Sequence, residues 1–354
     1  MRLKVETCNR GGVRRGRLAV TMIAAASVVL AASLVLVPHT SRPAAAIGRE
    51  HGLAVTGYIG DWNSPAWIDA QAAALPTVGV DGIDVTQAGN GVSLPSPGAL
   101  RQLATAHAEG LEAMLLVDNS AVTSTSTAVA TRLLTSAANR SLVAAKVARI
   151  VRTQGWDGVT VDLEVLAARD AQGLVGFVAR LRALLPRRLQ LAVDVSASPS
   201  LAAYPQSGYH LASLGRVADV VLMAYDEDGP WSSPGPIGGL PWQRAALAAV
   251  RQAVPERRLV LGVAAYGYAW PAGARVHDGT TVSDGQARRM AAASGRRPHW
   301  NGVQGEWTVR LRNGTVLWWS DVRSYALRWD MASRDGLAGL AVWQLATSDL
   351  LPRR

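Results

Sequence analysis

The sequence predicts a (β/α)8 barrel carrying a small α+β insertion between its seventh and eighth strands. Three observations lead there. Eight strand-like runs alternate with helix-like stretches between residues 53 and 344, the rhythm of parallel strands joined by helices. One of them, Asp157-Gly-Val-Thr-Val-Asp-Leu-Glu164, has an apolar face and a polar face that ends in two acids. The chain has 354 residues, 49% of them hydrophobic, enough for one barrel of ~250 residues and an insertion.

Residues 1–46 stand apart from this pattern. Residues 1–17 hold five arginines and Lys4 against Glu6, half of the chain's net charge of +10. Leu18 to Val37 then run 20 residues without a charge, followed by Pro38 and Ala44-Ala45-Ala46. A basic start, an apolar core and small residues at its end form the pattern of an export signal. The run exceeds the usual ~7–15 residues of a signal core and reaches the ~20 that span a bilayer. Export is the expectation, with the segment either cleaved near Ala46 or kept as an anchor on the outer face of the cytoplasmic membrane. Cys8 precedes the run, so the exported part has no disulfide and no thiolate metal site. Residues 47–354 carry only +4. They show no basic cluster interleaved with aromatics, which excludes a nucleic-acid surface of familiar type. Membrane contact is expected through the N-terminal segment alone, and the barrel is expected to be a monomer.

Residues 39–50 read as a linker, and the barrel elements follow in order. Strands are expected at 53–59, 78–85, 112–118, 158–164, 189–196, 217–225, 258–266 and 337–344. A helix is expected at 141–153, where Leu142, Val143, Val147, Ile150 and Val151 repeat with a 3.6-residue period. Another is expected at 172–185 through Leu174, Phe177, Val178, Leu181 and Leu185. The rhythm breaks after the seventh strand. Residues 280–295 suit a short helix, and 306–319 suit a hairpin turning at Arg312-Asn313-Gly314. The insertion is therefore placed at about 271–320.

The strand 158–164 carries the chemistry. With period two, Val159, Val161 and Leu163 face one way and Gly158, Thr160, Asp162 and Glu164 the other. The two acids then lie about 7 Å apart, at roughly 3.3 Å per residue. Paired acids on a strand are often only solvated or salt-bridged. At the C-terminal end of a barrel strand they stand where such enzymes keep their chemistry. The sixth strand delivers Tyr225 and Asp226 to the same mouth, and Trp62, Trp231, Trp270 and Trp343 follow strand ends. Carboxylic acids protonate glycosidic oxygens, and aromatic faces suit sugar rings. Tryptophans can equally be packing, and Trp307, Trp318 and Trp319 suit the hairpin's own core. A divalent cation on Asp162, Glu164 and Asp226 is the competing chemistry. The histidines, His39, His51, His107, His210, His277 and His299, fall in none of these motifs, so a His-rich metal site is not expected.

These motifs resemble glycoside hydrolase family 18, the chitinase-like barrels. The family's signature is Asp-Gly-x-Asp-x-Asp-x-Glu on the fourth strand, matched by residues 157–164 except that Thr160 replaces the middle Asp. The likeness is closest to the spore cortex-lytic N-acetylglucosaminidase branch, which commonly has a neutral Asn there. Met223-Ala-Tyr225-Asp226-Glu227, Gly235-Pro236 and Leu240-Pro241-Trp242 are similar to runs of that branch. So are Leu261 to Trp270, Val316 to Asp321 and Gly339 to Leu345. The resemblance implies a retaining mechanism in which the substrate's own 2-acetamido group is the nucleophile and no metal or cofactor is needed. It implies Glu164 as general acid and base, Asp162 on the acetamido N–H and Tyr225 on its oxygen. It implies sugar contacts at Asp226, Trp343, Tyr58, Trp270 and Trp231, and a polysaccharide partner, peptidoglycan or chitin-like. The rival reading is a non-catalytic carbohydrate-binding barrel of the same fold. A metal-dependent barrel hydrolase is a third.

Overall fold

The computed structural model describes residues 53–120, 126–273 and 278–353. The basic start with Cys8, the apolar run 18–37, the linker 39–50, and His39, His51 and His277 lie outside these residues. No helix among the described residues is long and apolar enough to cross a membrane.

In chain order the elements are β1 Ala54–Gly60, α1 Ala66–Gln71, β2 Thr77–Asp84, α2 Pro97–Ala108, β3 Glu112–Asp118, α3 Thr127–Thr135, α4 Ala137–Gln154, β4 Gly158–Asp162, α5 Ala171–Leu184, β5 Gln190–Ser196, α6 Ala203–Gln206, α7 Leu211–Val217, β6 Asp219–Met223, α8 Leu240–Arg251 and β7 Leu259–Ala264. Then come β8 Gly267–Trp270, β9 Thr280–Val282, α9 Asp284–Ala293, β10 His299–Asn301, β11 Glu306–Arg310, β12 Val316–Trp319, α10 Val322–Arg334 and β13 Gly339–Trp343. Strands β1 to β7 and β13 close a parallel barrel in the order β1-β13-β7-β6-β5-β4-β3-β2. All eight expected barrel strands are present, and β3 has its expected bounds.

Alternation builds the two layers of core. Val159, Val161, Val193 and Val195 point outward into the apolar layer shared with the helices. Tyr58, Met114, Leu116, Ala192, Val221 and Ala341 fill the barrel interior. A Cβ on Gly79 would stand 2.3 Å from the Tyr58 ring, so glycine there is what lets that ring cross the interior. Helix α5 buries Leu174, Phe177, Val178 and Leu181 as its period requires. Helix α4 starts earlier than expected because Ser136 caps it, its side chain accepting from the Asn139 N–H. Leu142 is not part of its buried stripe: it is 56% exposed, and Ala144 and Ala148 are buried beside Val147 and Val151 instead.

Two strands end sooner than the alternation suggests. The strand expected over 158–164 stops at Asp162, and the one over 217–225 stops at Met223. Glu164, Tyr225 and Asp226 therefore sit on irregular backbone just past the ladder.

The insertion is a five-stranded sheet, β10-β11-β12-β8-β9. It begins at Gly267, earlier than the expected 271, because β8 follows β7 almost directly. The hairpin β11–β12 turns through Gly314 at φ 85°, a left-handed conformation that favours glycine. The sheet packs on α9 through Ala269, Val282, Ala287, Ala291, Leu317 and Trp319.

A buried ion pair joins this sheet to the barrel. Glu306 on β11 accepts from the N–H groups of Ile237 and Gly238 at 2.8 and 2.9 Å and from the Ser320 hydroxyl at 2.9 Å. Arg328 on α10 approaches it at 3.5 Å. Arg328 also donates to Gln243 Oε1 at 2.9 Å and to the carbonyls of Gly238 and Gly305 at 2.6 and 2.5 Å. Both side chains are almost wholly buried. Removing one partner of such a pair leaves a charge in apolar surroundings, at a cost of about 3–5 kcal/mol. Arg328→Met is expected to lose that much stability in urea unfolding. A loss within ~0.5 kcal/mol, the range of ordinary surface substitutions, would remove this pair from the account of how the insertion is held.

Candidate active site

Six barrel strands, β1, β3, β4, β5, β6 and β13, converge on one cavity at the C-terminal ends. It measures about 130 Å3 and is lined by Tyr58, Asp162, Glu164, Asp194, Tyr225, Asp226 and Trp343, with Leu116, Val221, Met223 and Ala341 on its apolar walls. Tyr58 comes from β1, Asp162 from β4, Asp194 from β5 and Trp343 from β13. Met223 closes β6, and Tyr225 and Asp226 follow it.

Glu164 and Asp226 are each held by a local device. Beyond β4 the side-chain amide of Asn119 replaces the strand ladder. Its Nδ2 donates to the Glu164 carbonyl at 3.0 Å, and its Oδ1 accepts from the Glu164 N–H at 2.9 Å. The Tyr209 hydroxyl donates to the Leu163 carbonyl at 3.3 Å, and the Thr127 hydroxyl to the Val165 carbonyl at 2.7 Å. Val165 turns the chain away with φ 53°. Asp226 itself has φ 61°, and its Oδ1 accepts from Tyr268 at 3.0 Å and from Tyr266. Deeper in the barrel, Tyr58 and Thr160 are hydrogen-bonded at 3.1 Å. Tyr58 also lies against Trp343, ring centroids 6.3 Å apart.

The electrostatics are lopsided: four carboxyls line the cavity, and among the described residues no Lys, Arg or His lines it. Burial pushes the Asp162 carboxyl well above the usual carboxylate range, and the neighbouring Asp194 pushes it further. Asp194 is raised for the same first reason, then by Glu164. Glu164 is raised by burial and then by Asp226. Burial also raises Asp226, although its two tyrosine donors oppose the shift. A dry cleft holding several like charges keeps protons on some of them. The site can therefore offer both a protonated acid and an anion near neutral pH. Among the described residues no group of three or more His, Cys, Asp or Glu is placed to hold a metal ion. Asp162, Glu164 and Asp226 share the cavity without forming such a group.

Of the residues expected in the site, Glu164, Asp162, Tyr225, Asp226, Tyr58 and Trp343 are brought together. Trp270 is not. It is 1% exposed, its Nε1 donates to the Gly229 carbonyl at 3.1 Å, and it offers no ring face to a ligand. Its part is to support Tyr268, 5.8 Å away between centroids. Trp231 is 46% exposed but lies outside the cavity lining, its ring edge-on to Tyr268. Trp62, 65% exposed, covers Gly60 instead of the cavity. Asp157, the first acid of the motif, precedes β4 and accepts from the Ala113 N–H at 2.9 Å, so its work is to join β3 to β4.

The sequence did not single out Asp194, nor the acids of β2 and β3. Asp118 pairs in register with both Asp84 and Asp162. Burial and Asp84 push Asp118 up to about 8, and burial and Asp84 push Asp81 to about 6. The available signal was an acid at an inward position of three further strands. A concavity of about 760 Å3 lies at the other end of the barrel among Arg182, Arg187, Arg188, Arg216 and Arg258, away from these acids.

Comparison with known proteins follows the same lines. Residues 99–348 match the family model described as Glycosyl hydrolases family 18. A putative sporulation-specific glycosylase, YdhD of Bacillus subtilis, is 26% identical over 231 residues, covering 62% of this chain and 54% of that protein. The chain spans about half the length of the curated relatives it matches. A chitinase from Chromobacterium violaceum has the same fold, with TM-score 0.76 and 24% identity over 84% of this chain and 96% of that one. The spore cortex-lytic enzyme SleL of Bacillus megaterium gives TM-score 0.76 and 19% identity over 85% of this chain and 72% of that one.

The raised acids also set a pH dependence of stability. Burial and Asp84 push Asp118 up to about 8 in the folded protein, against 3.8 as its ordinary value. Between those values the folded chain keeps a proton that the unfolded chain has released, so stability falls as pH rises through the window. The melting temperature is expected to be higher at about pH 5 than at about pH 8, and Asp118→Asn should flatten the difference. A wild-type curve that rises toward pH 8 would contradict this electrostatic picture.

Proposed function

The chain belongs to the glycosyl hydrolases of family 18, and from that premise we propose that it is an exported enzyme cleaving β-linked glycans that contain N-acetylglucosamine. The reaction retains configuration and uses the substrate's acetamido group as nucleophile. The observation that carries this reading is Glu164: a carboxyl raised by burial, at the rim of the cavity, two residues beyond a second buried carboxyl.

The steps follow from that placement. Glu164 gives its proton to the glycosidic oxygen, and the C1–O bond breaks. The acetamido carbonyl oxygen bonds to C1, and an oxazolinium forms. Asp162 accepts the acetamido N–H and stabilises the positive charge, while the Tyr225 hydroxyl holds the acetamido oxygen in line. Glu164, now a carboxylate, takes a proton from water as that water opens the ring at C1. Trp343 floors the sugar, and Asp226, fixed by Tyr266 and Tyr268, binds it from the side.

The size of the cavity supports a substituent-binding role. About 130 Å3 is small beside the ~300–1,000 Å3 of pockets that enclose a whole ligand. It suits an acetamido arm, with the sugar ring above it. Peptidoglycan is favoured over chitin by the Met223 to Glu227 motif and by a relative named as a sporulation-specific glycosylase. Export rests on the basic start and apolar run of residues 1–46.

Glu164→Gln keeps the shape and removes the proton. Hydrolysis of unactivated glycan is expected to fall by about 10²–10⁴-fold, the usual worth of general acid catalysis. Glycan binding should survive, and an aryl glycoside with a good leaving group should lose less rate. Wild-type rates for the mutant on natural glycan would end this assignment. Wild-type protein that binds the glycan without cleaving it would favour a sugar-binding barrel.

Asp162→Asn should lower kcat far more than it raises KM, since its contact strengthens as charge develops. Tyr225→Phe should act in the same sense but more mildly. A change confined to KM would make Asp162 a binding residue only.

A further inference from the structure

The cavity holds one carboxyl more than the proposed reaction uses. Asp194 is 5% exposed, and it is no ordinary solvated strand acid. Leu191, Val193 and Val195 of β5 point to the helix layer, and Ala192 belongs to the interior cluster. Asp194 therefore faces inward, and it lines the cavity with Asp162. The register pairs Val161 with Val193, which puts Asp162 and Asp194 next along at the same level on neighbouring strands. Asp162 Oδ1 and Asp194 Oδ1 are both buried and both without a hydrogen-bond partner. Below Asp162 on its own strand, the next inward residue is the neutral Thr160, already hydrogen-bonded with Tyr58.

Two buried carboxylates side by side cannot both ionise without a cation, and among the described residues none lines the cavity. Two orphaned oxygens on adjacent strands can satisfy each other through one proton. We propose that Asp194 is the proton partner of Asp162, a positioning residue that takes the shared proton when charge develops on the substrate's acetamido group. This rests on the hydrolytic reading above and deepens it. As the oxazolinium forms, the O–H bond of Asp162 breaks and an O–H bond forms on Asp194. The pair keeps one negative charge throughout, and that charge moves to the carboxyl touching the substrate. When water opens the ring, the proton returns.

The titratable groups facing the pair come from five of the eight barrel strands or from just past their ends. They are Tyr58 on β1, Asp81 on β2, Asp118 on β3, Glu164 beyond β4, and Tyr225 and Asp226 beyond β6; Tyr209 stands behind Glu164. All are acids or phenols. Burial raises both members of the pair, and each has a like-charged neighbour adding to the shift. Of these acids, Glu164 is committed to the glycosidic oxygen, Asp226 is held by Tyr266 and Tyr268, and Asp118 is engaged by the Ser120 N–H and by Asp84, which leaves Asp194 as the neighbour that can exchange a proton with Asp162.

The test is a carboxyl-carbon NMR titration of the full chain with labelled aspartate, read beside steady-state kinetics on an N-acetylglucosamine oligomer. In the wild type, the Asp162 and Asp194 signals should each move in the same two separated steps, the mark of a shared proton. In Asp194→Asn, close to isosteric, Asp162 should titrate in one step. Its kcat should fall by about tenfold or more, the size of a coupling of one pK unit or greater, with KM nearly unchanged. An Asp162 signal that moves in one step in the wild type would overturn the proposal, and needs no variant to fold. So would an Asp194→Asn protein with wild-type kcat across the pH range. Failure of the hydrolytic reading looks different: the wild type cleaves no acetylated glycan. That result removes Asp194 from turnover, while the titration decides the shared proton independently.

Discussion

The site depends on one constraint: acids are gathered in the barrel mouth, and no cation among the described residues lines the cavity with them. Asp84, Asp118 and Asp162 follow one another in register across β2, β3 and β4, and Asp194 continues the level on β5. Asp118, Asp162 and Asp194 are costly to ionise away from water, and the acids near each of them add to the cost. The folded chain answers by keeping protons that the unfolded chain would release. An environment of this kind opposes folding near neutral pH, yet it is what a reaction needing both a proton donor and a nearby anion requires. The outer layer of Val, Leu and Ile between barrel and helices must offset it. The contrast with Glu306 and Arg328 is instructive. There the charges are opposite, hydrogen-bonded on most sides, and serve only to hold the insertion.

Geometry of the reacting groups comes from backbone outside the regular strands. Glu164 is positioned by the Asn119 amide and not by a ladder partner. Val165 and Asp226 adopt positive φ, a conformation that costs a non-glycine residue on the order of 1–3 kcal/mol and persists where surroundings enforce it. Here the surroundings are identifiable: Thr127 on the Val165 carbonyl, and Tyr266 and Tyr268 on the Asp226 carboxyl. The two tyrosines stand where β7 passes into the insertion, so the added sheet helps to aim a cavity acid.

Much of this was legible in the chain. Period-two alternation located the eight barrel strands, because one face of each must meet the helix layer and is apolar. It could not give their ends. The same alternation continues through Leu163 and Glu164, while the ladder stops at Asp162 for reasons supplied by Asn119, 45 residues earlier. Asp194 escaped notice because Leu-Ala-Val-Asp-Val reads as any half-polar strand; only closure of the barrel turns that polar side inward. Trp270 failed in the opposite direction. A tryptophan after a strand suggests a platform, but the edge of β8 carries it into the packing beneath Tyr268. The N-terminal reading stands on sequence pattern alone.

The central claim is that the substrate's own acetamido group is the nucleophile in this cavity. The most direct measurement is digestion of two matched glucosamine oligomers, one N-acetylated and one with free amines, with mass analysis of the new reducing ends. The account predicts cleavage only where the sugar on the non-reducing side of the bond keeps its acetyl group. Equal cleavage of the free-amine oligomer would contradict it, because no protein carboxylate is assigned to attack C1 in its place.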